Sequence, residues 1–206
     1  MQRISFRPSR ILVQAVLFMG PGLAQTSDVL SVRDRQTGVA HLESSRHAII
    51  DAVSGLSAEQ WNFRQSPDRW SVAEVVEHLA LTEDVLFRNV QQIMKAPEAS
   101  TPRDHKSLDK TILAAVPDRS NRATAAPGTE PTGRWQPNRA LDEFRARRQK
   151  TIEYLKTAAG LRVHTSESPF GEPMDCYQWL LFISAHSERH LKQIVEVMAA
   201  AGFPKK

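Results

Sequence analysis

Apolar positions recur at intervals of three and four along most of the chain, and no run alternates with period two for long enough to predict a strand. The first such stretch, about 31–54, sets Val39, Leu42, Ile49, Ile50 and Val53 on one stripe and stops at Gly55. Leu56 to Trp61 reads as a turn or short helix that lays Trp61 and Phe63 on the bundle. A second long helix is signposted by Trp70, then by Ser71 and Glu74 in the spacing of a capping box. Its stripe of Val72, Val75, Val76, Leu79, Leu86, Val90 and Ile93 runs to the stop before Pro97. Residues 96–137 then hold six of the twelve prolines, and predict a long connection with a short helix near Ser107–Val116.

A third long helix, about 138–158, places Leu141, Phe144, Ile152 and Leu155 inward, with Arg145, Arg147, Arg148 and Lys150 as a solvated outer face. Phe170-Gly171-Glu172-Pro173 punctuates the chain, and Asp175 is a candidate N-cap. From Cys176 to Ala200, Trp179, Leu180, Ile183, His186, His190, Ile194 and Val197 advance along one face until Gly202 and Pro204 end it. Four long helices without an internal repeat predict an all-α fold, a four-helix bundle with one long crossover loop.

The amino terminus departs from this pattern. Arg3, Arg7 and Arg10 precede an apolar run from Ile11 to Leu23, and Gly22-Leu23-Ala24 supplies small residues where a signal peptidase reads. The expectation is a secretory signal peptide over 1–24 and a domain over 25–206, exported to a periplasm or the medium. Without those three arginines the formal charge falls from +4 to +1, with 24 basic residues against 23 acidic. The basic balance then belongs to the leader, and no stripe remains for nucleic acid. No later segment approaches the ~20 apolar residues of a membrane span, so no stable membrane insertion is expected after cleavage. The single cysteine, Cys176, excludes an intramolecular disulfide and reads as a buried small hydrophobe.

Chemistry enters through three histidines. His186 and His190 stand four apart on the inward face of the last helix, so both rings share one side. His78 lies beside Val75 and Leu79 on the inward face of the second. Neutral rings on apolar faces need partners, and each polar nitrogen buried without one costs ~1–3 kcal/mol. One divalent ion would satisfy three of them and leave a position for water or substrate. The alternative is three rings that are simply hydrogen-bonded. Gln193 and Glu83 are the candidates for outer partners that fix the ring tautomers. His41, His47, His105 and His164 fit surface or loop roles better. Ser184 and Ser187 form no readable nucleophile arrangement, and no catalytic residue is assigned. Three classes therefore stay open: a metal-dependent enzyme, a non-catalytic metal-binding module and a plain structural bundle.

The segment Trp70-Ser71-Val72-Ala73-Glu74-Val75-Val76-Glu77-His78-Leu79 resembles the second-helix motif of the DinB-like superfamily. Gln178-Trp179-Leu180, then Ala185-His186-Ser187-Glu188-Arg189-His190 and Gln193-Ile194, resemble its last-helix motif. Pro117-Asp118-Arg119-Ser120, Pro131-Thr132-Gly133-Arg134 and Phe170-Gly171 extend the similarity over about 31–204. The resemblance implies a bundle in which His78, His186 and His190 hold a divalent ion, zinc or nickel foremost and iron or manganese as further choices. It also implies a small-molecule substrate, a homodimer, and activities that include thiol S-transfer. Millimolar thiol cosubstrates belong to cytosolic members, whereas the leader points to export, which suits hydrolysis better.

Overall fold

The computed structural model describes residues 29–99 and 103–205. The leader expected over 1–24 lies outside the described residues. Among these there are six helices: α1 (Val32–Val53), α2 (Ala58–Asn62), α3 (Val72–Ile93), α4 (His105–Ala115), α5 (Pro137–Thr157) and α6 (Cys176–Met198). Side-chain chemistry sets most of their starts. Ser31 accepts from Asp34 N at 3.0 Å, and Ser57 with Gln60, Ser71 with Glu74 and Asp175 with Gln178 form reciprocal capping boxes. Helix α5 opens instead on Pro137, whose fixed φ suits the first turn and whose missing N–H has no helical partner to lose there.

The long helices α1, α3, α5 and α6 form a four-helix bundle. Going round it, α1 packs on α6, α6 on α3, α3 on α5 and α5 on α1. Helices α1 and α3, neighbours in the chain, therefore sit across the diagonal, and α5 and α6 touch only slightly. The longest connection, 94–136, joins the adjacent pair α3 and α5, and its α4 rests on α6. Close approach of α1 to α6 depends on Gly38: a Cβ there would stand 2.7 Å from Tyr177 Cε2. The Tyr177 hydroxyl donates to Asp34 O at 2.6 Å just above it.

The core has two halves. One gathers Leu108, Ile112, Ile152, Leu155, Leu161, Met174 and Leu180 around α4 and the start of α6. The other gathers Ile49, Trp61, Val72, Val75, Val76, Phe144, Ile194 and Val197 around the start of α3 and the end of α6. Before α6 the chain makes a two-residue antiparallel pair, β1 (Thr165–Ser166) with β2 (Met174–Asp175), Thr165 facing Asp175. Two residues are too few to show a period, so no sequence pattern announces them. No helix among the described residues is long and apolar enough to cross a membrane.

One expectation fails at α5. Arg145 and Lys150 face solvent, but Arg148 is 0 % exposed. It stands four residues from both Phe144 and Ile152, so it occupies the register of the apolar stripe rather than of the outer face. Its guanidinium lies in the centre of the bundle, with Nε and Nη2 on the two oxygens of Glu83 at 2.9 and 2.8 Å. Nη1 donates to Leu42 O and Ser45 Oγ, and Nη2 also to Ser187 Oγ. All four long helices meet on this one side chain.

Candidate metal centre

His78 comes from the first half of α3, and His186 and His190 from the middle of α6, two helices that pack together. The three rings converge, with one nitrogen of each within 4.8 Å of the others. His78 Nε2 lies 3.4 Å from His186 Nε2, and His190 Nε2 lies 3.1 Å from the same atom. Metal–nitrogen bonds of about 2.0–2.1 Å at tetrahedral angles set neighbouring nitrogens about 3.3–3.4 Å apart. No carboxylate or thiol joins the group among the described residues.

Hydrogen bonds on the far sides of the rings assign their tautomers. His78 Nδ1 is 2.7 Å from Thr129 O, a carbonyl that can only accept, so Nδ1 carries the hydrogen and Nε2 offers a lone pair. His190 Nδ1 is 2.9 Å from Gln193 Oε1, an oxygen that also accepts from Arg119 Nη1, so its Nε2 offers a lone pair as well. Both lone pairs point at His186 Nε2, which bears at most one hydrogen and cannot direct it at two acceptors. Thr82 Oγ1 stands 3.4 Å from both nitrogens of His78, over the ring face and off the Nε2 lone-pair axis, so the neutral side chains leave this cluster short of a donor. A cation between the rings answers all three nitrogens, so the donor set fits a metal ion.

The electrostatics keep the rings in the ligating form. Burial pushes His78 below its ordinary value of 6.5, against the Thr129 carbonyl and the Glu130 charge, which pull it up. Burial, followed by repulsion from His78, brings His190 down to about 3 despite its bond to Gln193. His186 is pushed well down by burial first, then by His190, His78 and the Arg148 guanidinium. At neutral pH the three are uncharged, as a metal ligand must be. Aromatic walls surround them: Trp70 lies 4.9 Å from His78 and stacks at 6.5 Å on His190, and Phe182 stacks on His186 at 6.3 Å.

A family model for the DinB superfamily matches residues 41–194, a span that contains all three histidines. This chain belongs to the DinB superfamily. Its relatives include the uncharacterized protein YuaE of Bacillus subtilis (strain 168), 30% identical over 149 residues that make up 70% of this chain and 87% of YuaE. Among solved structures it is similar to YfiT from Bacillus subtilis, described as a probable metal-dependent hydrolase with an unusual four-helix bundle topology. The TM-score is 0.53 at 17% identity, covering 87% of this chain and 93% of YfiT, a likeness that establishes the shared fold.

Within this DinB-superfamily fold the other residues singled out by sequence take different places. Gln193 lies against His190, whereas Glu83 bonds Arg148 and Thr151, and no histidine is among its partners. Five residues separate Glu83 from His78, more than one turn, and this carries the carboxylate round to α5. His41 is partly exposed, 3.9 Å from Glu188, and His47 is exposed. His105 is buried at the head of α4 with Nδ1 2.9 Å from Asp175 Oδ2, and His164 Nδ1 meets Ala96 O at 2.8 Å. Cys176 is buried, and burial together with the Asp175 charge pushes its thiol up to about 12, far from a nucleophile's range. Ser184 Oγ donates to Leu181 O within its own helix.

Three features at the centre have no counterpart in the sequence reading: the Thr129 carbonyl on His78, the Trp70 and Phe182 walls, and Glu77. Glu77 gave no signal either: its helical neighbours Ala73, Glu74, Ala80 and Leu81 lie off the apolar stripe, and it is loop 132–134 that buries it. A backbone carbonyl leaves no signal in residue types.

Proposed function

We propose that this chain is a divalent-metal-dependent enzyme of the hydrolase type, with His78, His186 and His190 as the protein ligands and a further coordination position open to water and substrate. The observation that carries this reading is the shortage of donors: two assigned lone pairs converge on a third nitrogen, with no other ligand atom among the described residues. The likeness to YfiT supports the same class. Three imidazoles suit zinc or nickel, and also iron or manganese, whose affinities follow a common order across sites.

A bound ion supplies Lewis-acid activation of water or of a substrate oxygen. The chain's own residues supply the rest. Thr129 O and Gln193 Oε1 hold His78 and His190 with their Nε2 lone pairs turned inward. Trp70 and Phe182 cover ring faces, while His186 stays partly exposed, where water and substrate could reach it. The depressed proton affinities leave all three rings free to ligate at neutral pH. The leader pattern supports export, and sequencing of the mature amino terminus would then read a start near residue 25.

Elemental analysis of tag-free native protein, paired with ester, amide and phosphoester panels before and after chelation, tests the reading. One ion per chain, with hydrolysis lost on chelation and restored by metal, is the expected result. A metal-saturated protein that turns over none of the panels would reduce the centre to a structural clip.

A further inference from the structure

We infer that Glu77 is the positioning residue of the metal centre: it clamps residues 132–134 of the long loop and thereby holds the Thr129 carbonyl on His78. Its functional consequence rests on the metal reading above, but the clamp itself is a property of the metal-free chain.

Glu77 is 2 % exposed, on the turn of α3 that carries His78. Its carboxylate bonds the loop. Oε1 accepts from Thr132 N at 3.0 Å, Thr132 Oγ1 at 3.3 Å and Arg134 N at 3.4 Å. Oε2 accepts from Gly133 N at 2.9 Å, and the Arg134 guanidinium Nε stands 3.5 Å from Oε1. Three successive backbone N–H groups turned onto one anion form a nest, and a residue in the left-handed conformation is what turns them. Gly133 has φ +69°.

Consecutive residues of α3 thus grip one stretch of loop three residues apart, Glu77 at 132–134 and His78 at 129. Between the two grips, Pro131 fixes its own φ and has no N–H to bond elsewhere. On the upstream side Thr129 closes a turn, with its N and Oγ1 both on Ala126 O at 3.0 and 2.7 Å. The carbonyl therefore cannot slide along α3 while Glu77 holds. Without the clamp, His78 loses the acceptor that keeps hydrogen on Nδ1, and the competing tautomer carries hydrogen on the nitrogen that must ligate.

Glu77→Gln keeps the shape and removes the charge. Gly133→Ala attacks the same clamp from the loop side: a Cβ there meets no atom within 4 Å, so its effect is confined to the strained backbone. The measurements are the His78 tautomer by nitrogen NMR and amide exchange at 132–134 in the metal-free protein, then Co²⁺ affinity and its visible absorption spectrum. Wild type is expected to show hydrogen on Nδ1. Both variants should show mixed tautomers, faster exchange at 132–134, and Co²⁺ binding ~10–100-fold weaker with an altered spectrum. Variants that only melt earlier, with wild-type tautomer and Co²⁺ spectrum, would overturn the inference. Should wild type bind no Co²⁺, the metal reading fails, and the tautomer and exchange data alone decide the clamp. If Glu77→Gln does not fold, Gly133→Ala, with the carboxylate intact, carries the same test.

Discussion

Two buried polar clusters lie side by side in this bundle, and they differ in how their hydrogen bonds balance. Around Arg148 the donors meet acceptors: a bidentate carboxylate from Glu83, the Leu42 carbonyl and the hydroxyls of Ser45 and Ser187. Arg162 repeats the scheme near the start of α6, with both amino nitrogens on Asp109, one also on Asp175, and its guanidinium 4.3 Å over the Tyr177 ring. Around His186 the nitrogens face other nitrogens. A balanced cluster needs nothing more and acts as a fastener. A cluster with acceptors in excess needs a donor or a cation from outside it, and three nitrogens turned on one point suit a cation. Burial and polarity are common to both kinds, so neither distinguishes a site from a staple.

The largest effect should come from unbalancing the balanced cluster. Arg148→Met leaves the Glu83 carboxylate buried without its cation and is expected to lower unfolding free energy in urea by ~3–5 kcal/mol, with Glu83→Gln added to it recovering part of the loss. A loss below about 1 kcal/mol would show that water or relaxation repairs the site, and the contrast would fail.

Removing a member of the histidine cluster should act the other way. His186→Ala is expected to reduce metal affinity by more than the ~10–100-fold of a lost outer partner, by calorimetric titration. The chelated variant should melt no lower than chelated wild type, because nitrogens in excess contribute no fold stability. Burial of these rings, with their mutual repulsion, predicts an acid arm. The folded His190 titrates at about 3 against an ordinary 6.5, so the unfolded chain takes up its proton first. Metal-free protein should hold full stability above pH 6.5 and lose it progressively as pH falls towards 3, and His190→Ala should flatten that slope. A smaller effect is expected at the rim. Gln193→Ala should weaken metal binding by about tenfold and leave the number of ions bound unchanged. Smallest of all, Arg145→Ala removes only the exposed pair with Asp142, and should shift stability by less than ~0.5 kcal/mol.

The helices were legible because caps and apolar stripes agree: Ser71 with Glu74, and Asp175, each mark a start that the structure repeats. The convergence of His78 with His186 and His190 followed from three inward positions on two helices, given a bundle. Arg148 was misread because a run of four cations suggested a surface, although its own register was apolar. Phase along the helix, not the density of cations, decides which side chain is buried. The cyclic order of the helices and the Thr129 carbonyl had no local signal at all. Both are set by how distant segments dock, and a main-chain oxygen looks the same in every residue. Glu83 was sought as a partner for His78 from spacing alone, while the cation it needed stood 65 residues away.

The order of helices round the bundle has a consequence for synthesis. The pair that meets at the centre, α3 and α6, opens and closes the latter two-thirds of the described chain, and α6 is made after the other five described helices. A ribosome that stalls after α5 leaves a product holding one imidazole of the three, with neither the second wall of the pocket nor the partner face of α1. In such a fragment His78 faces no second imidazole, so the three-ring cluster assembles only once α6 has been made and docked.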